Sequence, residues 1–173
     1  MATKQPKYET LQDLLLLKLG SLLDIETQLV KALPKMAKAA NEQKLRDAFI
    51  EHLEETEAHV ERIEQAFENI DSVPKKMKVE AIRGLIEDAD WIGKSAKNPA
   101  ARDALLVAAA QCVEQYEIAS YRSACAWARL IDRDEIADLL QQTLDEEEET
   151  NETLAELAEN TINENVERGT QEE

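Results

Sequence analysis

Four glutamates, Glu26, Glu55, Glu117 and Glu147, fall along the apolar seams of four long amphipathic stretches of this chain. The first stretch reads Leu15, Leu19, Leu22, Glu26, Leu29, Leu33, Met36, in steps of three and four residues. That is the stripe a bundle helix buries. An unpaired carboxylate in such a stripe is costly, so it has to be paired with a base, protonated or bound to a cation. One glutamate from each of four helices points to a shared metal site.

A weak internal repeat supports the same reading. Glu26 to Glu55 spans 29 residues and Glu117 to Glu147 spans 30. His59 follows Glu55 by four residues, and Asn151 follows Glu147 by four. Residues four apart share a helix face, so each pair can reach one cation. The expected ligand set is therefore Glu26, Glu55, His59, Glu117, Glu147 and Asn151. Carboxylate oxygens suit hard cations and can bridge two of them. An imidazole nitrogen shifts the preference toward iron or manganese over magnesium.

Each residue also has a plainer reading. Glu26 and Glu117 could pair with Arg or Lys, or face solvent on a rotated helix. Glu55 and His59 could form a local hydrogen-bonded pair. His52, one turn away on the same face, fits a core histidine or one that supports a ligand. Glu114 is one turn from Glu117 and is its rival, and the run Asp145–Glu149 reads as a solvated face in which only Glu147 has stripe spacing. Tyr116 and Tyr121 flank Glu117 and fit core filling with satisfied hydroxyls.

The elements that must position these groups are all helical. Thr10 with Asp13 reads as a capping pair for a helix running to about Ala40, interrupted at Pro34. Asn41 is placed to cap a second helix, to about Asn69, with the stripe Leu45, Phe49, His52, Thr56, His59, Ile63, Ala66, Ile70. A loop over 71–78 and a shorter helix over roughly 79–95 follow. Asn98-Pro99 starts a third long helix, to about Ile131, and Asp132 with Glu135 reads as a capping box for a fourth, to about Asn163. Short links make each pair of long helices antiparallel, and the connection of about 30 residues between the pairs can return across the bundle. The expectation is an all-α, ferritin-like four-helix bundle whose long crossover carries a short fifth helix. It should form one domain over residues 1–166, with a frayed tail at 167–173.

Composition narrows the partners. The chain of 173 residues has a formal net charge of −17, which repels phosphate backbones and anionic headgroups and argues against nucleic acid and membrane surfaces. Lys75, Lys76 and Lys78 make one short basic cluster, read as a solvated loop. Cys112 and Cys125 lie 13 residues apart on one helix, too far to bridge, and read as buried thiols in a reducing compartment. With no signal-peptide pattern and no segment long enough to span a membrane, the expected location is the cytoplasm. Trp91 and Trp127 are expected to pack the bundle or a dimer interface.

The stretches His52-Leu-Glu-Glu-Thr56, Tyr116-Glu-Ile-Ala-Ser-Tyr121, Leu144-Asp-Glu-Glu147 and Gly84-Leu-Ile-Glu87 resemble those of the YciE/YciF stress-protein family. The resemblance runs from about Leu11 to Asn163. It implies a ferritin-like five-helix protomer, a homodimer, similarity to rubrerythrin and a link to bacterial stress. Ferritin-type sites use Glu-x-x-His on two helices. Here Thr56 stands three before His59, so the partner has to be Glu55, and in the last helix Glu148 stands three before Asn151, with Asn in place of His. Two functions follow as expectations. One is a di-metal carboxylate protein in which iron or manganese cycles against peroxide or dioxygen. The other is a non-catalytic dimeric stress protein whose site is a remnant.

Overall fold

Thr10 starts the first helix as its sequence suggests. Its hydroxyl accepts the Asp13 backbone N–H at 3.1 Å, and the Asp13 carboxylate accepts the Thr10 N–H at 2.9 Å. In a computed structural model describing residues 8–171, with side chains described to residue 167, six α-helices follow in order. They are α1 (Leu11–Ala39), α2 (Gln43–Asn69), α3 (Glu80–Ser95), α4 (Pro99–Leu130), α5 (Asp134–Leu157) and α6 (Asn163–Gln171). A wide π turn over Ala158–Ile162 joins the last two. Helix α1 continues through Pro34 to Ala39. The domain limits expected from the sequence, 1–166 with a tail over 167–173, extend past the described residues at both ends.

The four long helices pack in a ring: α1 against α2 and α4, α5 against α4 and α2. Three residues, 40–42, link α1 to α2, and three, 131–133, link α4 to α5, so both pairs are antiparallel hairpins. The crossover runs the length of the bundle. Its first part is pinned to α1 where Met77 N–H donates to the Gly20 carbonyl at 2.8 Å and Val79 N–H donates to Asp24 at 2.8 Å. A Cβ on Gly20 would sit 2.4 Å from the Lys75 carbonyl oxygen, so only glycine admits this approach. Helix α3 then packs on α1 and α4.

Two helix starts differ from expectation. Asn41 does not cap α2. Both carboxylate oxygens of buried Asp103, at the start of α4, accept the backbone N–H groups of Asn41 and Glu42 at 2.8 and 2.7 Å. Asp132 does not cap α5 either. It has φ 55° and ends α4: its N–H donates to the Arg129 carbonyl and the Arg133 N–H to that of Ala128, the pairing that closes a helix with a left-handed residue. Asp71, with φ 52°, closes α2 in the same way. At the fourth expected cap the reading holds, and the Asn98 side chain accepts the Ala101 N–H at 3.1 Å.

All seven residues of the first stripe and all eight of the second are buried. Helix α4 touches α1, α3, α5 and α6, so its buried arc is wider than a single stripe and takes in Glu114 and Cys125. Cys112 is exposed, contrary to expectation; Trp127 is half-buried, and Trp91 is 67% exposed and does not fill the bundle.

Candidate metal centre

Midway along the ring, side chains from all four long helices meet. Helix α1 gives Glu26, α2 gives His52 and His59, α4 gives Glu114 and Glu117, and α5 gives Glu147. All six are buried. Their ligand atoms fall into two groups, each gathered within 4.8 Å: His52, Glu114, Glu117 and Glu147, and Glu26, His59 and Glu147. Glu147 belongs to both. Ligands around one cation at roughly 2.0–2.6 Å lie up to about 4–5 Å apart, so each group has the spread of a coordination shell.

Seven buried atoms here have no hydrogen-bond partner: Glu26 Oε2, His59 Nδ1, Glu114 Oε2, both oxygens of Glu117 and both of Glu147. Buried polar atoms are normally paired, and leaving one bare costs roughly 1–3 kcal/mol. His59 Nδ1 comes within 3.0 Å of Glu147 and 3.5 Å of Glu26, close enough for charge attraction but without hydrogen-bond geometry. Four carboxylates and two imidazoles suit two divalent cations. The charge of four carboxylates balances two such ions, and mixed oxygen and nitrogen donors suit iron or manganese.

Each imidazole has one nitrogen held and the other aimed inward. His59 Nε2 lies 2.9 Å from Glu146 Oε2, and Glu146 is in turn clamped by both terminal nitrogens of Arg62. Arg62 also donates to Thr143 Oγ1 at 3.1 Å, which closes that end of the centre. A carboxylate on one ring nitrogen fixes the tautomer and leaves the other nitrogen for a metal. His52 is oriented the opposite way. Its Nδ1 has Glu55 and Thr150 at 3.4 Å, and its Nε2 faces Glu114 at 3.6 Å and Glu147 at 3.8 Å. The Tyr121 hydroxyl, fully buried, donates to Glu26 Oε1 and fixes that carboxylate.

Protons occupy the cluster when no cation does. Burial pushes the carboxyls of Glu114 and Glu117 well above the usual range, and neighbouring carboxylates add to it. For Glu147 burial acts in the same direction, but the charged His59 ring 3.0 Å away and the charge of His52 outweigh it and hold the group low. Burial alone would lower both histidines. The surrounding carboxylates overcome it, lifting His52 to about 9 and His59 to about 11. Burial, and after it the nearby Glu26 and Glu147 carboxylates, raise the Tyr121 hydroxyl.

Of the six ligands expected from the sequence, the structure brings Glu26, His59, Glu117 and Glu147 together. Glu55 lies outside both groups of carboxylates and imidazoles and is only half-buried, as is Asn151. His52 and Glu114 take places the sequence reading gave to others. The stripe itself carried the signal for His52, since it falls in line with Thr56, His59 and Ile63, whereas Glu55 lies one position off. His52 thus gives the cluster a second imidazole beside His59.

Known proteins agree with this architecture. Residues 10–167 match the family described as Domain of unknown function (DUF892). Protein YciF of Escherichia coli K12 is 41% identical over 160 residues, covering 92% of this chain and 96% of that protein. The crystal structure of the E. coli stress protein YciF superposes with a TM-score of 0.87 over 90% of this chain and 99% of that one. YcfI of Rhodopseudomonas palustris, 37% identical, gives 0.85 over 88% and 98% of the two chains.

Proposed function

Since the chain belongs to the DUF892 family and is a relative of the stress protein YciF, we propose that it is a ferritin-like di-metal carboxylate protein acting in bacterial stress. The supporting observation is the set of seven unpaired buried polar atoms converging from four helices. In this reading Glu26, His59 and Glu147 would hold one cation, and His52, Glu114 and Glu117, with Glu147 again, would hold the other. Bound iron or manganese would supply one-electron redox chemistry toward peroxide or dioxygen.

The protein's own part is positional and electrostatic. Arg62 and Glu146 hold the His59 ring so that Nδ1 faces inward. Tyr121 fixes Glu26 and keeps a proton beside it, available to a reduced oxygen species. Surrounding leucines, including Leu22, Leu29 and Leu140, exclude water. The reading extends to a cytoplasmic homodimer, for which exposed Trp91 and Leu130 offer apolar surface, and it includes neither nucleic acid nor membrane. No described helix is long and apolar enough to cross a bilayer.

The test is metal content and peroxide turnover. Protein purified without chelator, or loaded anaerobically with ferrous or manganous ion, should hold up to two cations and consume hydrogen peroxide. Glu147→Ala removes the ligand common to both groups, and equal consumption by that variant and wild type would refute the reading. Light scattering that gives a monomer would refute the dimer. One observation favours a second reading, a non-catalytic stress protein with a vestigial site: protonated His59 beside Glu147, Glu26 and Glu146 neutralises much of the charge without metal. Substoichiometric metal and a melting temperature unchanged by EDTA would establish that alternative.

A further inference from the structure

The two ends of the centre are built differently. At the His59 end, the Arg62–Glu146 clamp spans α2 and α5 with short charge-assisted bonds. At the His52 end a cleft of about 80 Å³ lies between the same two helices. Exposed Glu51 and Glu149 line its outer part, half-buried Glu55 and Thr150 its middle, and buried His52 and Glu114 its floor. Water occupies about 30 Å³ per molecule in the liquid, so the cleft has room for a cation with part of its hydration shell. No lysine or arginine lines it.

Glu55 is the loosely held member. Its side chain is 36% exposed, and its contacts with His52 Nδ1 and Thr150 Oγ1 are both 3.4 Å, longer than well-formed bonds of about 2.7–3.0 Å. Behind it, Glu114 Oε2 is buried and unpaired. A half-exposed carboxylate held only by two long contacts, lining the same cleft as a bare buried carboxylate, makes a relay. We propose that this cleft is the loading route of the centre and that Glu55 receives an incoming divalent cation and passes it to Glu114 and Glu147 beside His52. The proposal rests on the metal-centre reading, and it gives Glu55 a transit role rather than a resident one.

Cobalt(II) is a suitable probe because its visible absorbance reports coordination directly. Metal-free full-length protein is mixed with cobalt(II) in a stopped-flow instrument at low ionic strength. Focused charge raises association rates by roughly 10 to 10³. Glu55→Gln should therefore load about tenfold more slowly while reaching the same final cobalt number and spectrum. Glu55→Asp, which keeps the charge, should load near the wild-type rate. Thr153→Trp, which narrows the rim of the cleft, should also be slow, and Glu87→Gln on distant α3 should match wild type. Equal rates for Glu55→Gln and wild type overturn the route. A lower cobalt number or altered final spectrum in Glu55→Gln overturns the transit role, because Glu55 would then be a resident ligand. Wild type that takes up no cobalt overturns the metal centre itself, and the route with it.

Discussion

Replacing Glu117 with leucine should make the metal-free protein more stable and the metal-loaded protein less so. Glu117 is wholly buried and neither of its oxygens has a hydrogen bond. Removing such a group relieves roughly 1–3 kcal/mol, and leucine keeps most of the bulk. For a domain of this size 1 kcal/mol moves the midpoint by about 2–4 °C, so Glu117→Leu should melt roughly 2–12 °C above wild type in EDTA. With manganese at a hundredfold excess over Kd, wild type gains about 2.7 kcal/mol per site, or roughly 5–11 °C. The variant loses one of the two groups and keeps at most the response of the group containing Glu26 and His59. Thermal melts followed by circular dichroism at both conditions should therefore cross. Glu117→Gln is the control: it keeps the shape and the bare polar atoms, so it should lose metal response without gaining stability. A Glu117→Leu protein that is destabilised in EDTA and retains the full manganese shift would refute the reasoning.

Three further outcomes follow from the same geometry. In metal-free protein Glu114, Glu117, His52 and His59 all bind their protons more tightly when folded, so their contributions stand at low pH and fade as pH rises. The carboxyls lose theirs above about 4.5 and the histidines from 6.5 up to about 9 and about 11, while Glu147 acts oppositely only below 4.5. The metal-free midpoint should thus fall between about pH 6 and 9 while the manganese-induced shift grows, since protons compete for the ligands; a flat midpoint would contradict this. Arg62→Met frees Glu146 and loosens His59, so competition against a chelator should show metal affinity lower by about 10–100-fold, and an unchanged Kd would argue against the clamp. Gly20→Ala should cost roughly 1–3 kcal/mol in denaturant melts despite alanine's better helix propensity, because its Cβ meets the Lys75 carbonyl; a neutral result would mean the crossover can shift.

The helices were legible in the sequence because burial imposes a periodicity that leucines display directly, and the stripes of α1 and α2 proved buried residue for residue. The order of the hairpins was legible because links of three residues allow only one arrangement. What escaped was set by distance or by competition. Nothing near Asn41 announces that Asp103, 62 residues on, holds its backbone N–H just ahead of α2. Asp132 resembles an N-cap in sequence, but closing α4 takes precedence and turns it left-handed. Glu55 entered the expected site through the repeat spacing, and the structure followed the stripe instead, which favoured His52. Glu114 was undervalued because a helix with four neighbours buries more than one face.

Asp103 carries one more consequence. The amides of a short link between helices usually exchange early, yet those of Asn41 and Glu42, just ahead of α2, are tied to a carboxylate on the opposite hairpin. Freeing them would strand that buried group in oil, so neither hairpin can come apart by itself. Deuterium uptake at those two positions should match the slowest amides of the molecule, as in a box whose lid and base share one latch.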